Sequence, residues 1–321
     1  MWNATVHCDE EHFKLEAVQE TQSNSSHFSS TSNKACDDEC LRFRQTLANW
    51  NENPITKGKP KAAIYILTSE RAHITTTLKS LQDNFLSNFL YPVIIFHENI
   101  EQHFRRNYPE NLSKSLDIYF QIVSFVIPPF INESSILFNP ACPPKRISYR
   151  HMCRFQSKLI YEEPILMGLD YYWRLDDDSQ ILAPISYDVF AFMQQREFLY
   201  GYVIEHFDTK QCIPCLWPAA KIYVSENNIN ATYFHNWSVG RMIYNNFEIA
   251  SFSIWRNEKF KHFINYIDRV GGIYYYRWGD APIKSIALSI LVNRSSVYRF
   301  EDISYRHQNY ATDLAKASPK I

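Results

Sequence analysis

The first sustained apolar segment of the chain predicts a buried strand. Ala62 to Leu67 contains no charged residue, which is typical of a parallel strand covered on both faces. Thr68 and Ser69 follow it with side chains that begin helices, as at a turn between a strand and a helix. Apolar residues then recur at the spacing of an amphipathic helix: Ile74, Leu78, Leu81 and Phe85.

Two further apolar segments continue this alternation. Pro92 to Phe96 and Ile118 to Val126 are both predicted strands, with a shorter polar-faced helix between them. The alternation predicts an α/β fold with a mostly parallel, Rossmann-like central sheet flanked by helices. Residues 61–321 are predicted to form this single domain. Residues 1–60, polar and rich in Ser, Asn and Thr, are predicted to be a largely irregular stem or linker.

A helix with a basic face is predicted before the central strand. It extends from Arg146 to Glu163, and Arg150, Arg154 and Lys158 lie four residues apart on one side of it. Such a stripe either faces a diphosphate or is simply a solvated helix surface. The spacing alone does not distinguish these two interpretations.

An acidic triplet follows the central strand. The strand is predicted from Asp170 to Leu175, and Asp176, Asp177 and Asp178 stand where it ends. Ligands of open α/β sheets bind at the carboxyl ends of strands. Asp176 and Asp178 can therefore share one Mn²⁺ or Mg²⁺ that keeps open positions for phosphate oxygens. A solvated acidic turn, or a cap for the next helix, explains the same residues without a metal.

Three polar residues of the second half are further candidates. Glu248 lies in apolar surroundings, so it is either a functional carboxylate with a perturbed pKa or an exposed residue of a strand. Asp280 stands where a helix N-cap belongs, and it either caps that helix or contacts a sugar hydroxyl. His307 offers the nitrogen ligand that a metal site would use, although a lone histidine is more often structural.

Charge and composition narrow the kinds of ligand. The net charge of −1 provides no basic surface for nucleic acid or for an anionic membrane. The chain has 7 glycines and neither a G-x-G-x-x-G nor a Walker motif, so a bound nucleotide would be held by a metal and side chains. The aromatic content of 16% suits sugar faces, but a large core uses the same residues.

Glycosylation acceptors and cysteines indicate a lumenal or secreted protein. The acceptor asparagines of N-x-S/T sequences are Asn3, Asn24, Asn111, Asn132, Asn230, Asn236 and Asn293. The 7 cysteines cannot all pair within the chain, and Cys212 and Cys215 are either a structural disulfide or two unrelated thiols. No stretch has the length of a membrane span, and we expect a membrane anchor upstream of this sequence.

Several motifs in order resemble one family, the fungal-type Golgi α-1,2-mannosyltransferases that use GDP-mannose. The resemblance extends from about Ala62 to Tyr310. The motifs that carry it are Tyr171-Tyr172-Trp173-Arg174, Asn246-Phe247-Glu248-Ile249-Ala250, Gly271-Gly272, Arg277-Trp278-Gly279-Asp280-Ala281-Pro282, and Asp302-Ile303 with Tyr305 and His307.

The resemblance implies a GT-A-type fold, a type II membrane topology and a site in the Golgi lumen. It also implies Mn²⁺-dependent transfer of mannose from GDP-mannose to a mannose-containing glycan or glycolipid acceptor, with an α-1,2 linkage and retention of configuration. A catalytically silent, lectin-like relative and a glycoside hydrolase are the alternatives.

The resemblance also implies roles for individual residues. The implied metal ligands are Asp176, Asp178 and His307, and the implied catalytic residues are Glu248, as the nucleophile, and Asp280. The expected donor-binding residues are Thr68, Ser69, Arg154 and Arg174, and the expected acceptor-binding residues are Trp278 and Asp280.

Two positions depart from the family pattern. Asp176-Asp177-Asp178 stands where the family usually has Glu-Pro-Asp or Glu-Pro-Asn, which shortens the ligand arm but restores an Asp-x-Asp pair. An arginine that is typical of the family just after the first strand is missing, and the nearest arginine is Arg71. The second change removes an expected contact to the donor base or phosphate.

Overall fold

The structure, a computed structural model, describes residues 35–69, 74–98, 116–136, 138–143 and 146–312. Its strands are β1 (Ala62–Thr68), β2 (Val93–His97), β3 (Ile118–Ile122), β4 (Tyr171–Asp176), β5 (Ser179–Ile181), β6 (Tyr200–Tyr202), β7 (Glu205–Phe207), β8 (Arg241–Ile243), β9 (Phe247–Ser251), β10 (Val297–Arg299), β11 (Tyr305–His307) and β12 (Tyr310–Ala311). Its α-helices are α1 (Asp38–Ala48), α2 (Ile74–Leu81), α3 (Ile147–Ser157), α4 (Val189–Gln195), α5 (Leu216–Glu226), α6 (Phe252–Trp255), α7 (Glu258–Val270), α8 (Gly272–Tyr275) and α9 (Asp280–Leu291).

A seven-stranded sheet in the order β10-β6-β9-β4-β1-β2-β3 forms the centre of the molecule. β1 pairs in parallel with β2 and with β4, and β2 pairs in parallel with β3. β9 is antiparallel to both of its neighbours, β4 and β6. The predicted α/β fold with a mostly parallel, Rossmann-like sheet is therefore confirmed. The predicted helix between β2 and β3 lies outside the described residues.

Continuous apolar strands explain where the core lies. All residues of β2 and β9 are buried, and only one residue of β1 and one of β4 are partly exposed. Strands in the middle of a sheet that is covered on both faces consist mostly of apolar side chains, since neither face is wet, and a charged residue there, such as Arg174 of β4 or Glu248 of β9, needs a partner. The helices α3 and α9 pack against each other, and α9 also packs against α7. The carboxyl ends of β1 and β4 form the edge of the sheet at which a ligand can bind.

A small second sheet brings the C-terminal part of the described chain to this edge. β5 begins directly after the acidic triplet, and β11 pairs with it in antiparallel register. His307 on β11 lies opposite Ser179, the residue that follows Asp178. The pairing therefore places an imidazole from a distant part of the sequence beside the acidic triplet.

The structure corrects the prediction of an irregular segment up to residue 60. Helix α1 begins after Asp37, whose side chain accepts a hydrogen bond from the Cys40 amide at 2.9 Å. Phe43 and Trp50 are fully buried in the core, and the Phe43 ring contacts the edge of Tyr119 with 4.8 Å between ring centroids. Residues 38–50 are therefore part of the packed domain, while residues 1–34 lie outside the described chain.

Two other features differ from the sequence analysis or resolve it. The helix predicted from Arg146 to Glu163 ends at Ser157, and two 3₁₀ turns, Leu159–Glu162 and Pro164–Leu166, follow it. Cys212 pairs with Cys142 and not with Cys215, and a second disulfide joins Cys36 and Cys40.

No helix among the described residues has both the length and the apolar character needed to cross a membrane.

The buried position of Phe43 gives a test of the N-terminal boundary. Replacing Phe43 with Ala leaves a cavity beside Tyr119, and we expect the free energy of unfolding to fall by about 3–5 kcal/mol, the usual cost of such a core truncation. Leu41 on the same helix is 56% exposed, so Leu41→Ala is the matched control and should change stability little. Urea unfolding measures both. Equal, small effects for the two variants would contradict the packing of α1 on the core.

Candidate active site

A cleft of about 820 Å³ lies at the carboxyl ends of β1 and β4. Its walls come from the ends of these strands, from the start of α3 and of α9, and from the segments around β7, β8 and β11. Residues predicted for the site that line it are Thr68, Ser69, Arg174, Asp176, Asp178, Asp280 and His307. The topology therefore gathers most of the predicted site residues in one place.

Arg174 links two carboxylates in the cleft. Its Nε and Nη2 donate to Asp176 Oδ1 at 3.2 and 3.0 Å, and its Nη1 donates to Asp280 Oδ2. Burial lowers the pKa of this guanidinium, but the charges of Asp176 and Asp280 outweigh it and the pKa is raised. Arg174 therefore lines the cleft with its nitrogens bound to these two carboxylates, and its role in donor binding stays a prediction.

Asp280 has a different local role from the predicted N-cap. The N-cap position of α9 is Gly279, and Asp280 is the first helical residue. Its Oδ2 accepts hydrogen bonds from Arg174 and from Asn245 Nδ2, the latter at 2.9 Å. Burial raises the pKa of Asp280, but the charge of Arg174 and its hydrogen bond outweigh this effect. The pKa is lowered overall, so the carboxylate stays ionised.

Asp176, Asp178 and His307 meet on one side of Arg174. His307 Nε2 lies 2.8 Å from Asp178 Oδ1 and 3.5 Å from Asp176 Oδ2, and its Nδ1 lies 3.3 Å from the Tyr244 hydroxyl. Burial lowers the pKa of His307, but the hydrogen bond to Asp178 and the charge of Asp176 outweigh it, so the pKa is raised. The hydrogen bond to His307 in turn lowers the pKa of Asp178. These three side chains form a cluster of two carboxylates and one imidazole.

This cluster fits a divalent cation by its donor chemistry. As the side chains lie, no group of three or more His, Cys, Asp or Glu residues within the described ranges could hold a metal ion. Asp178 Oδ1 and His307 Nε2 instead contact each other at 2.8 Å, which leaves carboxylate oxygens and an imidazole nitrogen side by side. Carboxylate oxygen and imidazole nitrogen are donors that Mn²⁺ accepts.

Asp177, between the two candidate ligands, has a structural partner. The Thr68 hydroxyl donates to Asp177 Oδ2 at 2.8 Å, and the Thr77 hydroxyl donates to the Asp177 carbonyl at 2.7 Å. Burial raises the pKa of Asp177 to about 6. Thr68 therefore fixes the turn that carries the acidic triplet, while Ser69 lines the cleft beside it.

The resemblance implies that Glu248 acts in the cleft, but the structure does not place it at the cleft surface. It is fully buried, its Oε1 accepts from Tyr172 and Lys284, and its Oε2 accepts from the Tyr200 hydroxyl at 2.7 Å. Burial lowers the pKa of Lys284 to about 8, although Glu248 opposes this shift. Both carboxylate oxygens are occupied below the cleft floor, so direct attack on a sugar carbon in the cleft does not fit this arrangement.

Arg154 and Trp278 also lie away from the cleft. Arg154 Nε and Nη2 donate to the two carboxylate oxygens of Asp268 at 2.7 and 2.9 Å, and Lys158 joins this carboxylate at 2.6 Å. Trp278 is fully buried and donates from Nε1 to the Pro214 carbonyl at 2.7 Å. The predicted donor role of Arg154 and the predicted acceptor role of Trp278 are therefore not supported by their positions.

Sequence reasoning missed several residues of the cleft. Arg277 has φ of 72°, its guanidinium lies 4.5 Å from the centroid of the Tyr149 ring, and its Nε has no hydrogen-bond partner among the described residues. Asn245 and Tyr244, from the segment before β9, hold Asp280 and His307. The signal for Arg277 was its position in the Arg-Trp-Gly-Asp-Ala-Pro block. Arg71, the arginine nearest to the position of the missing family arginine, lies outside the described residues.

The family comparison covers nearly the whole chain. The model of the family described as glycolipid 2-alpha-mannosyltransferase matches residues 10–317. A probable mannosyltransferase, MNT3, of Candida albicans is 39% identical over 169 residues, which are 51% of this chain and 45% of that protein. The glycolipid 2-alpha-mannosyltransferase of Saccharomyces cerevisiae is 30% identical over 283 residues, 79% of this chain and 62% of that protein. The chain spans less than two thirds of the length of both relatives.

Solved structures support the fold. Core-mannan synthase A (CmsA/Ktr4) of Aspergillus fumigatus, in a Mn/GDP form, is 27% identical with a TM-score of 0.72, over 82% of this chain and 78% of that one. The Saccharomyces cerevisiae mannosyltransferase Ktr4p in complex with GDP is 22% identical, with a TM-score of 0.70 over 95% of this chain and 88% of that one, and shows the fold alone. The predicted GT-A-type fold is confirmed, and the chain belongs to the glycolipid 2-alpha-mannosyltransferase family.

Proposed function

We propose that this protein transfers mannose from GDP-mannose to a mannose-terminated glycan or glycolipid, with an α-1,2 linkage, retention of configuration and a divalent metal. One observation carries the proposal. Arg174 fixes Asp176 and Asp280 in a cleft that also holds Asp178 and His307, at the strand ends where a nucleotide binds in an α/β sheet. The family match and the Mn/GDP form of the Aspergillus fumigatus structure support the choice of donor.

The donor diphosphate would lie between the candidate metal ligands and the cations of the cleft. Asp176, Asp178 and His307 would hold Mn²⁺, with Mg²⁺ as the alternative ion. Bound there, the metal would neutralise charge on the diphosphate leaving group. The guanidinium of Arg277, with its unpartnered Nε, is available for a phosphate oxygen, and the exposed Arg146 lies on the same cleft.

Asp280 is the acid best placed to contact an acceptor. It lines the cleft, and its ionised form is maintained by Arg174 and Asn245. An ionised carboxylate accepts a hydrogen bond from a sugar hydroxyl and so orients it. Both carboxylate oxygens of Glu248 accept from buried side chains, so its position favours anchoring of Lys284 on α9 over attack on the sugar carbon or stabilisation of its charge.

The location in the Golgi lumen is also a proposal. Disulfides between Cys36 and Cys40 and between Cys142 and Cys212 support an oxidising compartment. The acceptor asparagines that the structure describes are all exposed: Asn132, Asn230, Asn236 and Asn293. Membrane attachment would come only through a segment outside the described residues.

Transfer with and without metal tests the proposed function. We expect the protein to transfer radiolabelled mannose from GDP-mannose to α-methyl mannoside with Mn²⁺ present, and to lose this activity in EDTA, because the diphosphate would then leave without charge neutralisation. The product should be an α-linked disaccharide. Measurable Mn²⁺–GDP binding without product for any mannose-terminated acceptor would instead support the silent, lectin-like alternative. Metal-independent release of free mannose would support a hydrolase.

His307 gives a test of the metal site. His307→Ala should weaken Mn²⁺ binding in the presence of GDP by at least tenfold, since it removes the nitrogen donor. Because the pKa of His307 is raised, protons compete with the metal, and the wild-type Mn²⁺ affinity should increase as the pH rises from about 6 to 8. Isothermal titration calorimetry measures both. His235→Ala, at an exposed position outside the cleft, is the control, and equal Mn²⁺ affinities for the two variants would place the metal elsewhere.

The Glu248–Lys284 pair separates an anchoring role from a nucleophilic one. Glu248→Gln leaves the Lys284 charge without its partner, and we expect a loss of about 3–5 kcal/mol in the free energy of unfolding. In the double variant Glu248→Gln/Lys284→Met no unpaired charge remains, so stability and transfer should both recover in part. Urea unfolding and the transfer assay measure this. A double variant that is stable but inactive would contradict the anchoring role and support a direct role of the Glu248 carboxylate, as nucleophile or in stabilising the charge of the sugar carbon.

A further inference from the structure

Three consecutive polar residues of the segment before β9 line the cleft. The Tyr244 hydroxyl lies 3.3 Å from His307 Nδ1, and Asn245 Nδ2 donates to Asp280 Oδ2 at 2.9 Å. Both side chains are therefore bound to residues of the candidate site. The third, Asn246, is also on the cleft wall but has no such partner.

Asn246 is buried, and its amide is unsatisfied. The residue is 1% exposed, and neither its Oδ1 nor its Nδ2 has a hydrogen-bond partner in the described part of the chain. Its backbone is fixed, because its carbonyl accepts from the Asp176 amide at 3.2 Å and from the Tyr305 hydroxyl at 3.0 Å. The backbone of Asn246 is thus held at the cleft wall, and both functions of its buried amide are unpaired.

An amide in this state costs stability unless a ligand satisfies it. Buried polar groups are almost always hydrogen-bonded in folded proteins, and the exceptions call for a functional reason. The donor and the acceptor of one amide together match a sugar hydroxyl, which both accepts and donates. Phosphate oxygens only accept, and they would leave Asn246 Oδ1 unpaired against a negative charge. Arg277 of the same cleft, whose Nε has no hydrogen-bond partner among the described residues, suits phosphate better.

We propose that Asn246 is a specificity-determining residue that binds a hexose hydroxyl in the cleft through both atoms of its amide. The inference rests on the proposed function and adds the contact by which this site reads the sugar. The hydroxyl belongs either to the hexose of the nucleotide-sugar donor or to the terminal hexose of the acceptor. Asn246 lies beside the candidate metal ligand Asp176, so either sugar would be close to the reacting centre.

Two variants test the contact, and Asn84 provides a matched control. Asn246→Leu and Asn246→Ala remove the amide, and we expect Tm to stay unchanged or rise, because no native hydrogen bond is lost. The kcat/KM for transfer should fall by roughly 10- to 1,000-fold, while affinity for GDP and Mn²⁺ stays within twofold. Asn84 donates to two backbone carbonyls outside the cleft, so Asn84→Leu should lower Tm.

Deoxy substrates identify the hydroxyl. Each hydroxyl of the donor mannose and of α-methyl mannoside is removed in turn, and kcat/KM is measured for the wild type, for Asn246→Leu and for Asn84→Leu. One analogue should be poor for the wild type and for Asn84→Leu, and it should lose little further activity with Asn246→Leu, because the contact is already absent. A donor analogue with this behaviour assigns the donor sugar, and an acceptor analogue assigns the acceptor sugar.

Other outcomes would overturn the proposal. Equal loss of activity on every analogue together with a lower Tm would make Asn246 structural, unchanged kcat/KM would remove any role, and a selective loss of Mn²⁺ affinity would make it a metal ligand. If the wild-type protein transfers no mannose, the proposed function fails, and calorimetry decides the inference separately. In that case the inference requires that the wild-type protein bind GDP-mannose more tightly than GDP, or that it bind α-methyl mannoside, and that Asn246→Leu abolish this sugar-dependent binding. If the wild-type protein shows neither kind of sugar binding, the inference is overturned.

Discussion

The candidate site depends on one buried cation. Arg174 is 2% exposed, and a guanidinium at that depth is stable only when anions and hydrogen-bond acceptors surround it. Asp176 comes from the end of the same strand and Asp280 from the first turn of α9, so Arg174 ties the central sheet to a helix on its face. Glu248 lies opposite it on β9. The orientation of Asp176 towards His307, and hence the candidate metal site, follows from these ion pairs.

Much of the fold could be predicted because its central strands are buried on both faces. Such strands are mostly apolar, and the sequence of β1 shows this up to its end, while β4 is apolar and aromatic except for Arg174 before its terminal Asp176. Helix α1 was missed for the opposite reason. Its few buried residues, among them Phe43, are dispersed in a polar sequence, and only the packing of α1 against β3 shows that they belong to the core.

The sequence located the acidic cluster but not the orientation of its surroundings. Asp176 and Asp178 could be predicted because a strand end in a parallel sheet is a binding edge whatever the tertiary details. Arg154 could not, since the face that α3 presents depends on Asp268, a residue 114 positions away that binds it. The position of Glu248 could be known only from the register between β9 and β4. The unpartnered amide of Asn246 could be recognised only once all residues of the cleft were placed. The local sequence pattern therefore predicts the helices and strands, whereas contacts between residues distant in the sequence decide which side chains reach the ligand.

The central claim is that the ion pairs of Arg174 present Asp176, Asp178 and His307 to a metal that accompanies the nucleotide. A crystal structure of the protein with Mn²⁺ and GDP, with the metal identified by its anomalous scattering, tests this most directly. We expect one anomalous peak within coordination distance of His307 Nε2 and a carboxylate of the triplet, with Arg174 still bound to Asp176 and Asp280. A peak at other residues, or GDP bound in the cleft with Mn²⁺ absent from this cluster, would contradict it.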